Sequence, residues 1–176
     1  MIGIDANALT YLVEALLPGY DPENDSSDLA EERIAMLRIY FYRDEPYYVL
    51  PSVKVEYKKI PNELTRDQHE SIHWILLLDY NWKLDASKLN NRKQELLKHH
   101  TEDKDCQIVA EAELAGFEIL LTCDVDLRKR LESRTNNLRI LTPKEYWDSL
   151  EIPRGEKPEF QPTRSNPLFY AKWWRW

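Results

Sequence analysis

The chain has 176 residues and a mass of 21.0 kDa, about one domain by length and long enough to bury roughly two-thirds of its unfolded surface without a disulfide or metal. With 43% hydrophobic and 31% charged residues it is neither disordered nor low-complexity, and a net charge of −7 argues against a protein that coats nucleic acid nonspecifically. The longest apolar run, Trp74-Ile75-Leu76-Leu77-Leu78, is far short of a membrane span, no secretory leader is visible, and two cysteines (Cys106 and Cys123) make no disulfide framework, so a reducing cytoplasm is the expected compartment.

Ile2-Gly3-Ile4 reads as a short first strand opening into Asp5-Ala6-Asn7. Leu9, Leu12, Val13 and Leu16 then fall on one helical face, with Asn7 as the expected N-cap and Pro18-Gly19 as the stop. After a polar loop from Asp21 to about Ser27, helical spacing returns at Ala30, Ile34, Leu37 and Phe41. Tyr47-Tyr48-Val49-Leu50, closed by Pro51, reads as a strand, and Val53, Val55 and Glu56 belong to a short helix after it. Thr65-Arg66-Asp67-Gln68 has the form of a capping box and predicts a helix carrying Ile72, Ile75 and Leu76. Asp85 is placed to cap the next helix, whose inward residues are Leu89, Leu96 and Leu97. A further helix runs from about Glu102 to Ala115 and ends at Gly116. Glu118-Ile119-Leu120-Leu121-Thr122 reads as a buried strand, Asp126 to about Ser133 as a basic helix, and Leu138 to Leu141 as a last strand. Thr142-Pro143-Lys144-Glu145 combines an N-cap, a proline at the first helical position and a capping glutamate. Strands alternating with helices predict an α/β domain over 1–150 with a parallel sheet. Residues 151–176, with four prolines and with five aromatics in the last eight positions, read as a C-terminal arm.

In open α/β sheets, ligands bind beyond the carboxyl ends of the strands. Asp5 and Asp124 each follow a predicted strand there. Asp105 lies on the apolar stripe of its helix with Ile108, Val109 and Ala112, where an unpaired carboxylate is costly, whereas Asp103 points away from that stripe. Glu56 follows its strand by about a turn and a half of helix. Carboxylates gathered from four stretches repel by ~4 kcal/mol per pair at 4 Å and an effective dielectric near 20. Such a cluster asks for a cation, and all-oxygen donors select hard Mg²⁺ or Mn²⁺ over zinc. Singly, each acid has an ordinary reading as a cap, a first-turn residue or a surface residue.

At these residues the chain resembles the PIN-domain nucleases, in particular the VapC-like ribonucleases of toxin–antitoxin systems. The resemblance rests on Ile2-Gly3-Ile4-Asp5-Ala6-Asn7, the Val53–Glu56 segment, Asp105-Cys106-Gln107-Ile108-Val109-Ala110-Glu111-Ala112 and Leu120-Leu121-Thr122-Cys123-Asp124-Val125-Asp126-Leu127, and covers roughly residues 1–147. It implies a three-layer fold with a mostly parallel sheet of four to five short strands between helices. It also implies Mg²⁺- or Mn²⁺-dependent hydrolysis of RNA phosphodiesters. Asp5, Glu56, Asp105 and Asp124 match the family's acids, with Asp5, Asp105 and Asp124 as metal ligands and Asn7, Thr122 and Asp126 as auxiliary residues. A homodimer and a small antitoxin protein inserting a basic side chain into the cleft are implied as partners. The region from Leu17 to Glu45 and the tail after Leu150 exceed the compact toxins of that family.

Arg128, Lys129, Arg130, Arg134 and Arg139 form a basic stretch just after Asp124, suited to RNA phosphates or equally to a solvated helix face. Lys88, Arg92, Lys93 and Lys98 read as surface, and Cys106 and Cys123 as small buried fillers. The terminal Phe169-Tyr170-Ala171-Lys172-Trp173-Trp174-Arg175-Trp176 has the make-up to stack unpaired bases or to pack over the domain, and packing is the favoured reading. His99-His100 sit side by side, so as a metal pair they would point apart. Three other readings each carry a requirement of their own. A haloacid-dehalogenase-type phosphatase would need an Asp where Asn7 stands; a receiver domain would need an acidic pair near the first strand; a PIN-like RNA-binding module would bind with weak or no catalysis.

Overall fold

A computed structural model describes residues 1–25, 27–80 and 83–176. Among these residues five strands, β1 (Ile2–Ile4), β2 (Tyr47–Val49), β3 (Leu78–Asp79), β4 (Ile119–Leu121) and β5 (Arg139–Leu141), form one sheet. Its order is β3-β2-β1-β4-β5, and every pairing is parallel. The helices are α1 (Ala6–Leu16), α2 (Ala30–Tyr42), α3 (Pro51–Tyr57), α4 (Glu63–Leu76), α5 (Ala86–Leu96), α6 (Asp103–Leu114), α7 (Val125–Leu131) and α8 (Pro143–Ser149). The fold is the expected three-layer α/β arrangement, a five-stranded parallel sheet flanked by helices. No helix among the described residues is long and apolar enough to cross a membrane.

β1, at the centre of the sheet, is buried at every residue and is apolar apart from Gly3, as a strand covered on both faces must be. The chain runs outward from β1 to β2 and β3 on one side and to β4 and β5 on the other, so strand order reverses at β1 and opens a crevice at its carboxyl end. In the register, Ile4 lies beside both Val49 and Leu121, which brings the residue after β1 and the residues after β4 to one lip. Gly3 lets the sheet close tightly: a Cβ there would stand 3.3 Å from the Phe117 ring.

Several boundaries differ from the sequence expectation. Helix α1 is capped by Asp5, not Asn7, because β1 ends at Ile4 and the helix starts almost at once; Ala8 N–H donates to Asp5 Oδ1 at 2.7 Å. Helix α4 begins ahead of Thr65, with Asn62 Oδ1 accepting from Thr65 N–H at 2.9 Å. The Asn-Glu-Leu-Thr segment thus offers an earlier cap than the proposed box. Strand β3 was not foreseen: two residues are too few for any alternation to show. The buried face of α4 is polar. His69 Nε2 meets Thr10 Oγ1 at 3.0 Å, and Tyr57 Oη lies 2.6 Å from His73 Nδ1. Meanwhile Trp74 and Ile75 stand 73% and 74% exposed. On its other side His73 Nε2 reaches Asp79 at 3.0 Å, and Lys54 Nζ bonds both oxygens of that carboxylate. These polar links pin α3 against α4 and β3. The Thr142–Glu145 capping box and the Asp85 cap form as expected.

The segment after Leu150 packs onto the domain. Trp174 is fully buried with its ring 4.5 Å from that of Phe41, and its indole N–H donates to Leu168 O. Arg38 of α2 donates to the carbonyls of Trp173, Trp174 and Arg175, and its guanidinium stacks 4.6 Å from the Trp176 ring. Because α2 is overlaid by this segment as well as by α1 and α8, it buries residues around most of its circumference: Ala35, Met36, Leu37, Ile39, Phe41 and Tyr42.

Candidate functional site

Beyond the carboxyl ends of β1 and β4 lies an open cleft of about 490 Å³. Its walls carry Asp5, Glu56, Asp105 and Asp124, the four acids singled out from the sequence, together with Asn7, Asp103 and Glu111. Each of the four is held from a different element.

Asp5 is the most enclosed, 5% exposed. Its Oδ1 accepts from Ala8 N–H, and its Oδ2 accepts from the Thr122 hydroxyl. Thr122 Oγ1 in turn accepts from Asp124 N–H at 3.0 Å, so one hydroxyl ties the acid after β1 to the acid after β4. Burial pushes the Asp5 carboxyl from an ordinary 3.8 up to about 7, against the pull of its two hydrogen bonds and with further upward pressure from Asp124 and Asp105. Asp124 caps α7 through Oδ1, which accepts from Leu127 N–H at 2.8 Å and leaves Oδ2 outside that bond. Asp105, in the first turn of α6, is half-buried, and burial raises its pKa. A bond from His100 opposes that rise and the Asp124 charge adds to it. Asp124 bears on both Asp5 and Asp105, and Asp105 on Asp5, so the three carboxylates share one electrostatic neighbourhood. Glu56, on α3, receives Lys104 Nζ at 2.9 Å across the mouth of the cleft.

Two supporting residues behave differently from the expectation. Asn7 does not cap α1; its Oδ1 accepts from Cys123 N–H at 2.9 Å and steadies the turn that delivers Asp124. Asp126 is exposed in the first turn of α7 and does not line the cleft. Nor do Arg128, Lys129 and Arg130: Arg128 is engaged by Glu145 at 2.6 Å, and the other two are exposed along α7. The cations that do line the cleft are Lys59 and Lys104.

Glu111 was not singled out. It is buried, and it accepts from Ser52 N–H at 3.1 Å, from the Ser52 hydroxyl at 2.7 Å and from Gln107 at 2.9 Å, binding α6 to the start of α3. A glutamate inside the apolar run Ile108–Ala112 was the available signal, since such an acid must find partners. Asp103 sits at the rim, 3.0 Å from Lys93.

The donor set is all carboxylate oxygen, and the Asp124 charge raises the cost of ionising both Asp5 and Asp105, so the chemistry fits a hard divalent cation. Among the described residues no three His, Cys, Asp or Glu side chains stand close enough to ligate one ion as placed. The acids face one cleft without closing a coordination shell.

No family model matches the sequence, and no curated protein matches it. Among solved structures, the chain is similar to the crystal structure of VapBC2 from Rickettsia felis bound to a DNA fragment from their promoter, at 16% identity and a TM-score of 0.46, over 80% of this chain and 97% of that one.

Proposed function

We propose that the protein is a metal-dependent ribonuclease of the PIN type, with its active site in the acidic cleft. The observation that carries this reading is Asp5: a buried carboxylate, held near an apparent pKa of about 7, beside two further acids at the strand-order reversal. In this reading Asp5, Asp105 and Asp124 hold Mg²⁺ or Mn²⁺, and Glu56 completes the acidic wall. The cation, when bound, supplies a water of lowered pKa and neutralises charge on the phosphoryl oxygens.

The chain's own residues do the remaining work. The Thr122 hydroxyl sets the spacing of Asp5 and Asp124, and Asn7 fixes the turn between them. Lys59 and Lys104 offer positive charge to RNA phosphates at the cleft mouth. Lys104 can leave Glu56 at small cost, because that pair is largely exposed and such pairs contribute about 0–1 kcal/mol. As a toxin, the protein would be silenced by a small partner whose cationic side chain enters the cleft. A homodimer and a cytoplasmic setting belong to the same proposal.

A second reading is an RNA-binding module with weak or no catalysis. It is favoured by Asp105 and Glu56 already being engaged by His100 and Lys104. Incubation of single-stranded RNA with the protein and Mn²⁺ separates the two. The nuclease reading expects cleavage that EDTA abolishes and that Asp5→Asn or Asp124→Asn lowers by about 100-fold or more. Cleavage that survives in Asp5→Asn refutes it, and metal-independent RNA binding without cleavage supports the module.

A further inference from the structure

We infer that His100 is the positioning residue of the cleft, holding Asp105 in place to receive the cation; this rests on the cation-binding reading of the site. His100 lies in the connection between α5 and α6, with its ring 5% exposed. Its Nε2 is 2.6 Å from Asp105 Oδ2. The backbone of the same residue is tied at both polar atoms: His100 N–H donates to Leu96 O at 3.1 Å, and His100 O accepts from Cys106 Sγ at 3.3 Å. The imidazole is therefore anchored to the end of α5 and to the first turn of α6 before it meets the carboxylate.

Asp105 needs such an anchor. An aspartate in a first helical turn has several staggered side-chain arrangements open to it. Repulsion from Asp5 and Asp124 favours those that turn outward to solvent. Of the cations near Asp105 along α5 and α6, Lys104 is paired with Glu56 and Lys93 with Asp103. His100 supplies the bond that keeps the Asp105 carboxylate in the wall of the cleft, occupying Oδ2 and leaving Oδ1 outside that bond. Groups that orient metal ligands from behind commonly change metal affinity 10–100-fold when removed. Neighbouring His99 is exposed and gives an internal control.

The test is calorimetric titration of Mn²⁺ into the full chain, with melting temperature recorded for each metal-free variant. Glutamine places its amide nitrogen near the position of Nε2 and can still donate to Asp105, whereas asparagine falls short. The expected result is a Kd about 10–100-fold weaker in His100→Ala and His100→Asn, with most of the affinity restored in His100→Gln and none lost in His99→Ala. Should His100→Ala fail to fold, the Gln and Asn variants decide the matter between them. Equal Mn²⁺ affinity for the Gln and Asn variants overturns the role of His100 while leaving the cation site intact. Absence of Mn²⁺ binding by the unsubstituted protein overturns both.

Discussion

Replacing Asp5 by Asn should flatten the pH dependence of stability and remove the stabilisation conferred by divalent cations. The carboxyl is buried and its pKa stands at about 7 against an ordinary 3.8, so the folded state binds this proton more tightly than the unfolded chain does. The contribution is then fully present below pH ~4 and is lost as pH rises through about 7. At 1.36 kcal/mol per pH unit the shift corresponds to about 4 kcal/mol, which for a domain of this length is a fall in melting temperature on the order of 10 °C. Asp105 acts with the same sign. His73 acts oppositely, since burial lowers its pKa and charging it at low pH costs stability. The difference between wild type and Asp5→Asn isolates the Asp5 contribution, because asparagine can still accept from Ala8 N–H without a charge to desolvate. Thermal melts at pH 4 and pH 8 in EDTA, repeated with Mg²⁺ at pH 8, measure it. Wild type should melt lower at pH 8 and recover with Mg²⁺, whereas the variant should fall less, keeping only the Asp105 share, and gain nothing from Mg²⁺. An unchanged pH slope in Asp5→Asn would refute the reasoning.

Thr122→Val keeps the shape of a fully buried side chain and deletes the hydroxyl between Asp5 and Asp124. With Asp5 Oδ2 left without its donor, denaturant unfolding should show a loss of about 1–3 kcal/mol, and RNA cleavage should fall without loss of fold. Trp174→Ala empties the space beside Phe41 and should cost about 3–5 kcal/mol. Circular-dichroism melts check this, and an unchanged melting temperature would mean that residues 151–176 are not part of the packed unit.

What was legible in the sequence were the features that local chemistry dictates. An apolar triplet followed by Asp5, the strand closed ahead of Pro51 and the Thr142–Glu145 box all declare themselves within a few residues, and all appear where expected. Of the four acids of the cleft, Asp5, Glu56 and Asp124 were legible because each follows a strand, and Asp105 because it lies on the apolar stripe of its helix. The choice between Asp5 and Asn7 as the cap of α1 was not, since both residue types cap well and the end of β1 decides between them. Partnerships across long stretches of chain were hidden for a related reason. Nothing near Glu111 in sequence indicates Ser52, and nothing near His69 indicates Thr10. The basic stretch beginning at Arg128 misled by proximity in sequence: α7 carries it along a surface other than the cleft, whose cations come from α6 and from just beyond the end of α3.

The overlay of residues 151–176 on α2 has a bearing on how the protein is made. Phe41 and Arg38 leave the ribosome well before Trp174 and the carbonyls that Arg38 binds, Trp174 lying 136 residues beyond Arg38 along the chain. A nascent chain on the ribosome must therefore hold an unsealed seam, with aromatic surface open to chaperones or to neighbouring chains. This part of the core closes only once Trp174 has left the ribosome.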